Sequence, residues 1–287
     1  MTPTVAERRA AVVGKPIAHS LSPVIHNAGY AAAGLTGWSY TRIECAAAEL
    51  PDLVAGLGPE WAGLSVTMPG KEAALAVAAE VSPVAAAVGA ANTLVRRPDG
   101  SWYADNTDVS GMVEVLTGAG VRPGATVTVL GAGGTARAAL AAAARLHAAG
   151  VTVVARRPAA VAELEPVADL LGLALTAAPW SEAATLAEAD VVISTVPKGA
   201  ADALAASDAA DGSAGPVRWR SATVLFDAIY DPWPTPLAAS AAAAGCGVVS
   251  GLDLLLAQAI GQFEQFTGVP APRPAMSAAL RAAVSLR

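Results

Sequence analysis

The stretch 127–140 reads VTVLGAGGTARAAL: a β-branched run, a glycine cluster at Gly131, Gly133 and Gly134, then an alanine-rich helix former. Strand, glycine turn and helix in that order describe a dinucleotide-binding turn. Gly131 lets the chain reverse sharply, Gly133 lets the backbone approach a pyrophosphate, and the small Ala136 allows helix and strand to pack closely. Ala132, Gly134 and Thr135 complete the loop, and the first N–H groups of the helix are free to face phosphate. A chain rich in alanine and glycine can produce such a pattern by chance, but the frame here includes a following strand, VTVVARR at 151–157. At the end of that strand NAD-binding domains place an acidic residue for the ribose 2′-hydroxyl; this chain has Ala155, Arg156 and Arg157 instead. Two cations favour a 2′-phosphate, so NADP(H) is the expected cofactor. Arg156 is the stronger contact, because Arg157 also reads as a solvated surface arginine.

From residue 125 onward VTVL, VTVVA, LALTA, DVVISTV, TVLFDAI and CGVVS recur between alanine-rich helices. That alternation predicts a doubly wound parallel sheet. The first third also alternates: AAVVG, a helix SPVIHNAGYAAAGL, strands WSYTRIEC and GLSVT, helical segments over 69–88, and a hairpin of NTLVRR and SWYADN. Arg122, Pro123 and Gly124 punctuate the passage between the halves. Residues 200–215 read as a short helix followed by a mobile loop. Helices LDLLLAQAIGQFEQF and 275–286 close the chain. The expected class is α/β, with domains at 1–110 plus 252–287 and at 121–251.

The chain has 287 residues, 54% hydrophobic and 15% charged, with a net charge of −6. Such a composition fits a compact two-domain globule rather than a disordered chain. Negative charge and scattered arginines argue against a nucleic-acid partner. No apolar run is long enough to span a bilayer, and the opening MTPTVAERRA lacks a signal-peptide core, so the expected location is cytoplasmic. Cys45 and Cys246 form no metal or disulfide motif and are expected to be reduced core thiols. His19, His26 and His147 lack ligand spacing; no metal is expected, and His19 and His26 read as local hydrogen-bonding residues. Lys15, Lys71 and Lys198 are the three lysines against fifteen arginines. Each is a candidate for work that needs a compact amine.

Four polar stretches outside the nucleotide turn carry more than packing requires: SLSP, VTMPGK, ANTL and DNTD. Ser20 and Ser22, two apart in an extended segment, would face one side and could hold a carboxylate; Ser22 fits a helix cap equally well. Thr67, Lys71, Asn92 and Asp108 fall near strand ends, where α/β folds build sites. A lysine and an aspartate brought together could exchange a proton with a substrate hydroxyl. A surface salt bridge for Lys71 and a cap for Asp108 remain the plainer readings of spacing alone.

Taken with GKPIAHSLSP, GAANTL, NTD, GAGGTAR, FDAIYDPWPTPL and GLDLLLAQAIGQF, these stretches resemble the shikimate dehydrogenase family over nearly the whole chain, in the family's order. The resemblance implies an N-terminal α/β substrate domain, a Rossmann-like NADP domain inserted after it, and C-terminal helices returning to the substrate domain, with a cleft between. It implies that Ser20 and Ser22 bind the substrate carboxylate and that Thr67, Asn92, Tyr230 and Gln258 contact the rest. Lys71 and Asp108 match the catalytic pair, and Gly251 joins the cofactor residues. The implied reaction is reversible NADP-dependent reduction of 3-dehydroshikimate to shikimate by a monomer or homodimer. Alternatives are a quinate or aminoshikimate dehydrogenase and a non-catalytic NADP-binding regulator. Departures from the family pattern are Ser65 for asparagine, Val109 for glycine, Ala155 for asparagine, and ISTVPKGA, which lacks the family's methionine at Ala200.

Overall fold

A computed structural model describes residues 7–205 and 216–286. The chain divides into two compact units, Met1–Ser110 with Leu255–Arg287, and Gly111–Leu254.

The first unit contains β1 (Arg8–Gly14), α1 (Ser22–Ala32), β2 (Trp38–Glu44), α2 (Leu50–Ala55), β3 (Trp61–Val66), α3 (Ala73–Ala76), β4 (Glu80–Val81), α4 (Pro83–Val88), β5 (Thr93–Arg96) and β6 (Trp102–Asp105). α5 (Thr107–Gly118) follows. The sheet order is β2-β1-β3-β5-β6-β4. β1 runs parallel to β2 and β3, whereas β3–β5 and β5–β6 are antiparallel. The expected helical stretch 69–88 is therefore interrupted: the two-residue β4 pairs with β6 and separates α3 from α4. Ser82 caps α4 by accepting from the Ala85 N–H, and Pro83 fits its first turn.

The second unit holds β7 (Thr126–Leu130), α6 (Gly134–Arg145), β8 (Gly150–Ala155), α7 (Pro158–Ala162), α8 (Glu165–Leu171), β9 (Leu175–Pro179), β10 (Val191–Ser194), β11 (Val224–Asp227), α9 (Pro236–Ala243) and β12 (Gly247–Ser250). All six expected strands form one parallel sheet in the order β12-β11-β10-β7-β8-β9. Val129, Val153, Ile193 and Phe226 pack into a core on one face, and Leu130, Val154, Val192 and Leu225 into a core on the other. Burial on both faces explains why these strands read as unbroken apolar runs. The strand order reverses between β7 and β10, and the glycine turn stands at that switch point.

α10 (Gly251–Thr267) and α11 (Arg273–Ser285) complete the chain. Gly63 of β3 has no room for a side chain, because the Phe266 ring occupies the space a Cβ would take; this close approach seats α10 on the first sheet. The chain passes between units inside α5 and α10 rather than at the Arg122–Gly124 loop. Met112, Leu116 and Leu254 already belong to the second unit's core. Cys45 is buried, but Cys246 is half-buried at the start of the β12 turn and is not a core thiol. A 3-10 turn at Asp202–Leu204 opens the segment expected to be helix and loop; 206–215 lie outside the described residues.

Candidate active site

Register gathers the polar stretches of the first unit. Ser65 of β3 pairs with Thr93 of β5, which pairs with Asp105 of β6. Because β5 runs opposite to its neighbours, its beginning lies at the ends of β3 and β6. Thr67, Lys71, Asn92 and Asp108 consequently share one end of the sheet, past the ends of β3 and β6 and the start of β5. The Thr67 N–H donates to Val13 O at 2.9 Å, tying the β3 end to β1. Lys71 occupies the turn before α3, its carbonyl accepting from the Ala91 N–H at 2.8 Å. Asp108 lies in the first turn of α5. Lys71 Nζ donates to Asp108 Oδ2 at 2.6 Å, with the side chains 28% and 15% exposed. The contact is a short, charge-assisted bond on a partly desolvated pair. It leaves two ammonium protons for other acceptors.

Asn92 is buried, and its Oδ1 accepts from the Thr93 hydroxyl at 2.7 Å and the Thr107 N–H at 2.8 Å. Its Nδ2 donates to Thr107 Oγ1 at 3.0 Å. The residue thus fixes the entry of α5 and with it Asp108.

Ser20 and Ser22 are both buried but not in an extended segment. Leu21 between them is helical, with φ −91° and ψ −6°, and Ser22 opens α1 without capping it. The Ser20 hydroxyl instead accepts from the Ser22 N–H at 3.3 Å, a local turn that competes with extension. The Arg42 guanidinium donates to the Ser20 carbonyl, Nε at 3.0 Å, and holds the segment against β2.

On α10, Gln258 Nε2 donates to Leu255 O of its own helix at 2.8 Å. Gln262, one turn later on the same face, is the residue the sequence reading missed. Its Oε1 accepts from Ser65 Oγ at 2.6 Å, and its Nε2 donates to Asn92 O at 3.0 Å and Thr93 Oγ1 at 3.1 Å. Ser65 Oγ also accepts from the Tyr40 hydroxyl. Burial raises the Tyr40 phenol above its ordinary value, so it remains a donor. His26 is not the local hydrogen-bonding residue expected. It is fully buried, its ring stacks on Tyr40 at 4.1 Å, and neither ring nitrogen meets a partner at ordinary geometry.

The second unit carries the nucleotide turn. Gly131 has φ +99°, a region closed to most side chains, and a Cβ there would also press on Thr195 Oγ1. Gly133 precedes α6 without a side-chain cap, and a Cβ on Gly133 or Gly134 would meet only open space. The first N–H groups of α6, with Thr135, therefore stand beside room for an anion. Ala136 is fully buried under the sheet. A cavity of about 550 Å³ is lined by Gly131, Ala132 and Gly133 on one side and by Ala155, Arg156 and Arg157 on another. None of the described residues lining it is acidic. Uncapped helix, open glycine turn and paired cations fit a dinucleotide bearing an extra phosphate. Elsewhere in this unit Gly251 opens α10 hard against the Ala228 backbone, with Tyr230 beside it. Among the described residues no group of three or more His, Cys, Asp or Glu could hold a metal ion.

The family model described as the shikimate dehydrogenase substrate binding domain matches residues 12–94, and that described as the shikimate 5′-dehydrogenase C-terminal domain matches 251–281. A shikimate dehydrogenase (NADP(+)) of Caulobacter vibrioides is 41% identical over 270 residues, covering 91% of this chain and 90% of that protein. The crystal structure of Mycobacterium tuberculosis shikimate dehydrogenase is 49% identical, with a TM-score of 0.84 over 96% of this chain and 99% of that one. The Thermus thermophilus enzyme in complex with NADP(H) and shikimate is 31% identical, with a TM-score of 0.80 over 96% and 99%.

Proposed function

Because the chain belongs to the shikimate dehydrogenase family, we propose that it interconverts 3-dehydroshikimate and shikimate, a step towards chorismate and the aromatic amino acids. It is an NADP-dependent oxidoreductase acting on a CH–OH group. The first unit, with α10 and α11, is the substrate domain in this reading, and the parallel-sheet unit binds NADP. The protein works as a monomer or homodimer in the cytoplasm; no described helix is long and apolar enough to cross a membrane.

The observation that carries the reading is the 2.6 Å Lys71–Asp108 pair at the strand ends that also carry Asn92. In the reducing direction the Lys71 ammonium donates a hydrogen bond to the ketone oxygen, polarising the carbonyl, and gives up a proton as the alcohol forms. Asp108 accepts from the same ammonium and holds it in place, so the lysine meets the ketone already oriented. The bound nicotinamide supplies the hydride in this direction and accepts it in the other. Asn92, Thr67 and Gln258 hold the ring hydroxyls, Ser20 and Ser22 the carboxylate, and Tyr230 a further face of the substrate. Gly131 to Ala136 and Gly251 approach the cofactor, while Arg156 and Arg157 neutralise its 2′-phosphate.

Mixing the purified protein with shikimate and NADP and following nicotinamide absorbance tests this directly, with quinate and NAD as parallel substitutions. NADPH formation with shikimate is expected. Turnover confined to quinate would move the substrate assignment, and turnover confined to NAD would move the cofactor assignment. Absence of turnover with every pair, while NADPH still binds, would favour a regulator on the same fold.

A further inference from the structure

The catalytic pair proposed above is held from behind by a strip of three residues, Ala91 to Thr93. Ala91 binds the Lys71 carbonyl, and Asn92 binds both the backbone and the hydroxyl of Thr107, next to Asp108. The strip lies in the buried interior, where the Asn92 carbonyl accepts from the Val66 N–H at 2.7 Å and the Thr93 hydroxyl donates to Asn92 Oδ1 at 2.7 Å. One further side chain reaches both groups. Gln262 is 1% exposed and spends its amide protons on those two groups and its carbonyl oxygen on Ser65. Ser65 is in turn anchored by Tyr40, whose ring is clamped by His26. A buried chain of this kind, satisfied at each atom named, has little freedom to slide.

We propose that Gln262 is a positioning residue for the reaction: it sets Asn92, and through the strip sets Lys71 and Asp108, without touching substrate. The inference rests on the catalytic reading of Lys71 and Asp108. A displacement of the strip by a fraction of an ångström would misplace the proton donor, for which a loss of roughly ten- to hundredfold in turnover is expected.

Gln262→Glu keeps the shape and the acceptor for Ser65 but, when ionised, cannot donate to the Asn92 carbonyl or Thr93. Its kcat should fall about tenfold or more, with the KM for NADP unchanged. With His26, the titratable group beside position 262, replaced by Phe in both proteins, the deficit relative to the Gln262 parent should shrink as pH is lowered, because the protonated acid regains one donor. A merely structural role would show no such pH-dependent recovery. Ser65→Ala, which removes one link and opens little space, should lower kcat by a smaller factor and keeps the proposal testable if Gln262→Glu fails to fold. Wild-type kcat in a folded Gln262→Glu, or a deficit independent of pH, would overturn the proposal; where that variant does not fold, wild-type kcat in Ser65→Ala would do so. Lys71→Ala serves as the control: if it retains turnover, the catalytic reading fails, whereas an inactive Lys71→Ala beside an unaffected Gln262→Glu removes the positioning role alone.

Discussion

Replacing His26 by Phe should flatten the acid side of the stability profile. The imidazole is sealed among the rings of Tyr30, Tyr40, Phe263 and Phe266, with no carboxylate among these neighbours. Burial pushes its pKa from the ordinary 6.5 down to about 3, and the Gln262 side chain beside it opposes that fall without overcoming it. Between those values the unfolded chain binds a proton that the folded protein refuses. The stability contribution is therefore full above pH 6.5 and is lost as pH falls towards about 3. At 1.36 kcal/mol per pH unit, moving from about pH 7.5 to about pH 4.5 removes roughly 2.7 kcal/mol through this group. A Phe ring keeps the stack on Tyr40 and has nothing to protonate. Urea unfolding of both proteins across that range, with matched slopes, reads the difference. The stability gap between Phe variant and wild type should shift in the variant's favour by about 2–3 kcal/mol on acidification. Parallel profiles would mean that His26 binds its proton equally in the folded and unfolded protein, whatever the absolute cost of the larger ring.

Removing Arg156 should weaken NADPH by about ten- to hundredfold, the worth of one charge-assisted contact to phosphate, and leave NADH almost unchanged in calorimetric titration. An equal loss for both cofactors would place the cation elsewhere than at the 2′-phosphate. Asp227 is buried at the end of β11, where it accepts from Thr235 Oγ1 at 2.7 Å and from the Ile229 N–H at 3.2 Å. Burial raises its carboxyl above the ordinary range, against those donors. For an acid whose folded pKa is raised, stability is lost as pH rises through that value. Asp227→Asn should thus gain on wild type in thermal melts between about pH 4 and about pH 8; a constant gap would contradict this.

Much of the fold was legible because its signals are local. The parallel strands announce themselves as apolar runs buried on both faces, and the glycine turn at 131–134 carries its own conformational demand. β4 was invisible, since two residues such as Glu80 and Val81 carry no periodicity. Ser20 and Ser22 misled because alternation assumes extension, whereas the Ser20 hydroxyl satisfied a nearby N–H and turned the chain. The Lys71–Asp108 pairing came from family resemblance, not spacing: 37 residues separate the two, and register across β3, β5 and β6 brings them together. Gln262 left no trace in the sequence beyond being four residues from Gln258. Its partner Ser65 lies 197 residues away, joined through a helix that returns to the first sheet after the whole second unit has been built.

Lys71 acts on the reacting centre rather than on binding. Steady-state kinetics of Lys71→Ala with shikimate and NADP test this most directly. A fall in kcat of about 10²- to 10⁴-fold, with the KM for shikimate changed by no more than a few-fold, is the expected result. A variant that keeps its kcat while KM rises would make Lys71 a binding residue and not the proton donor.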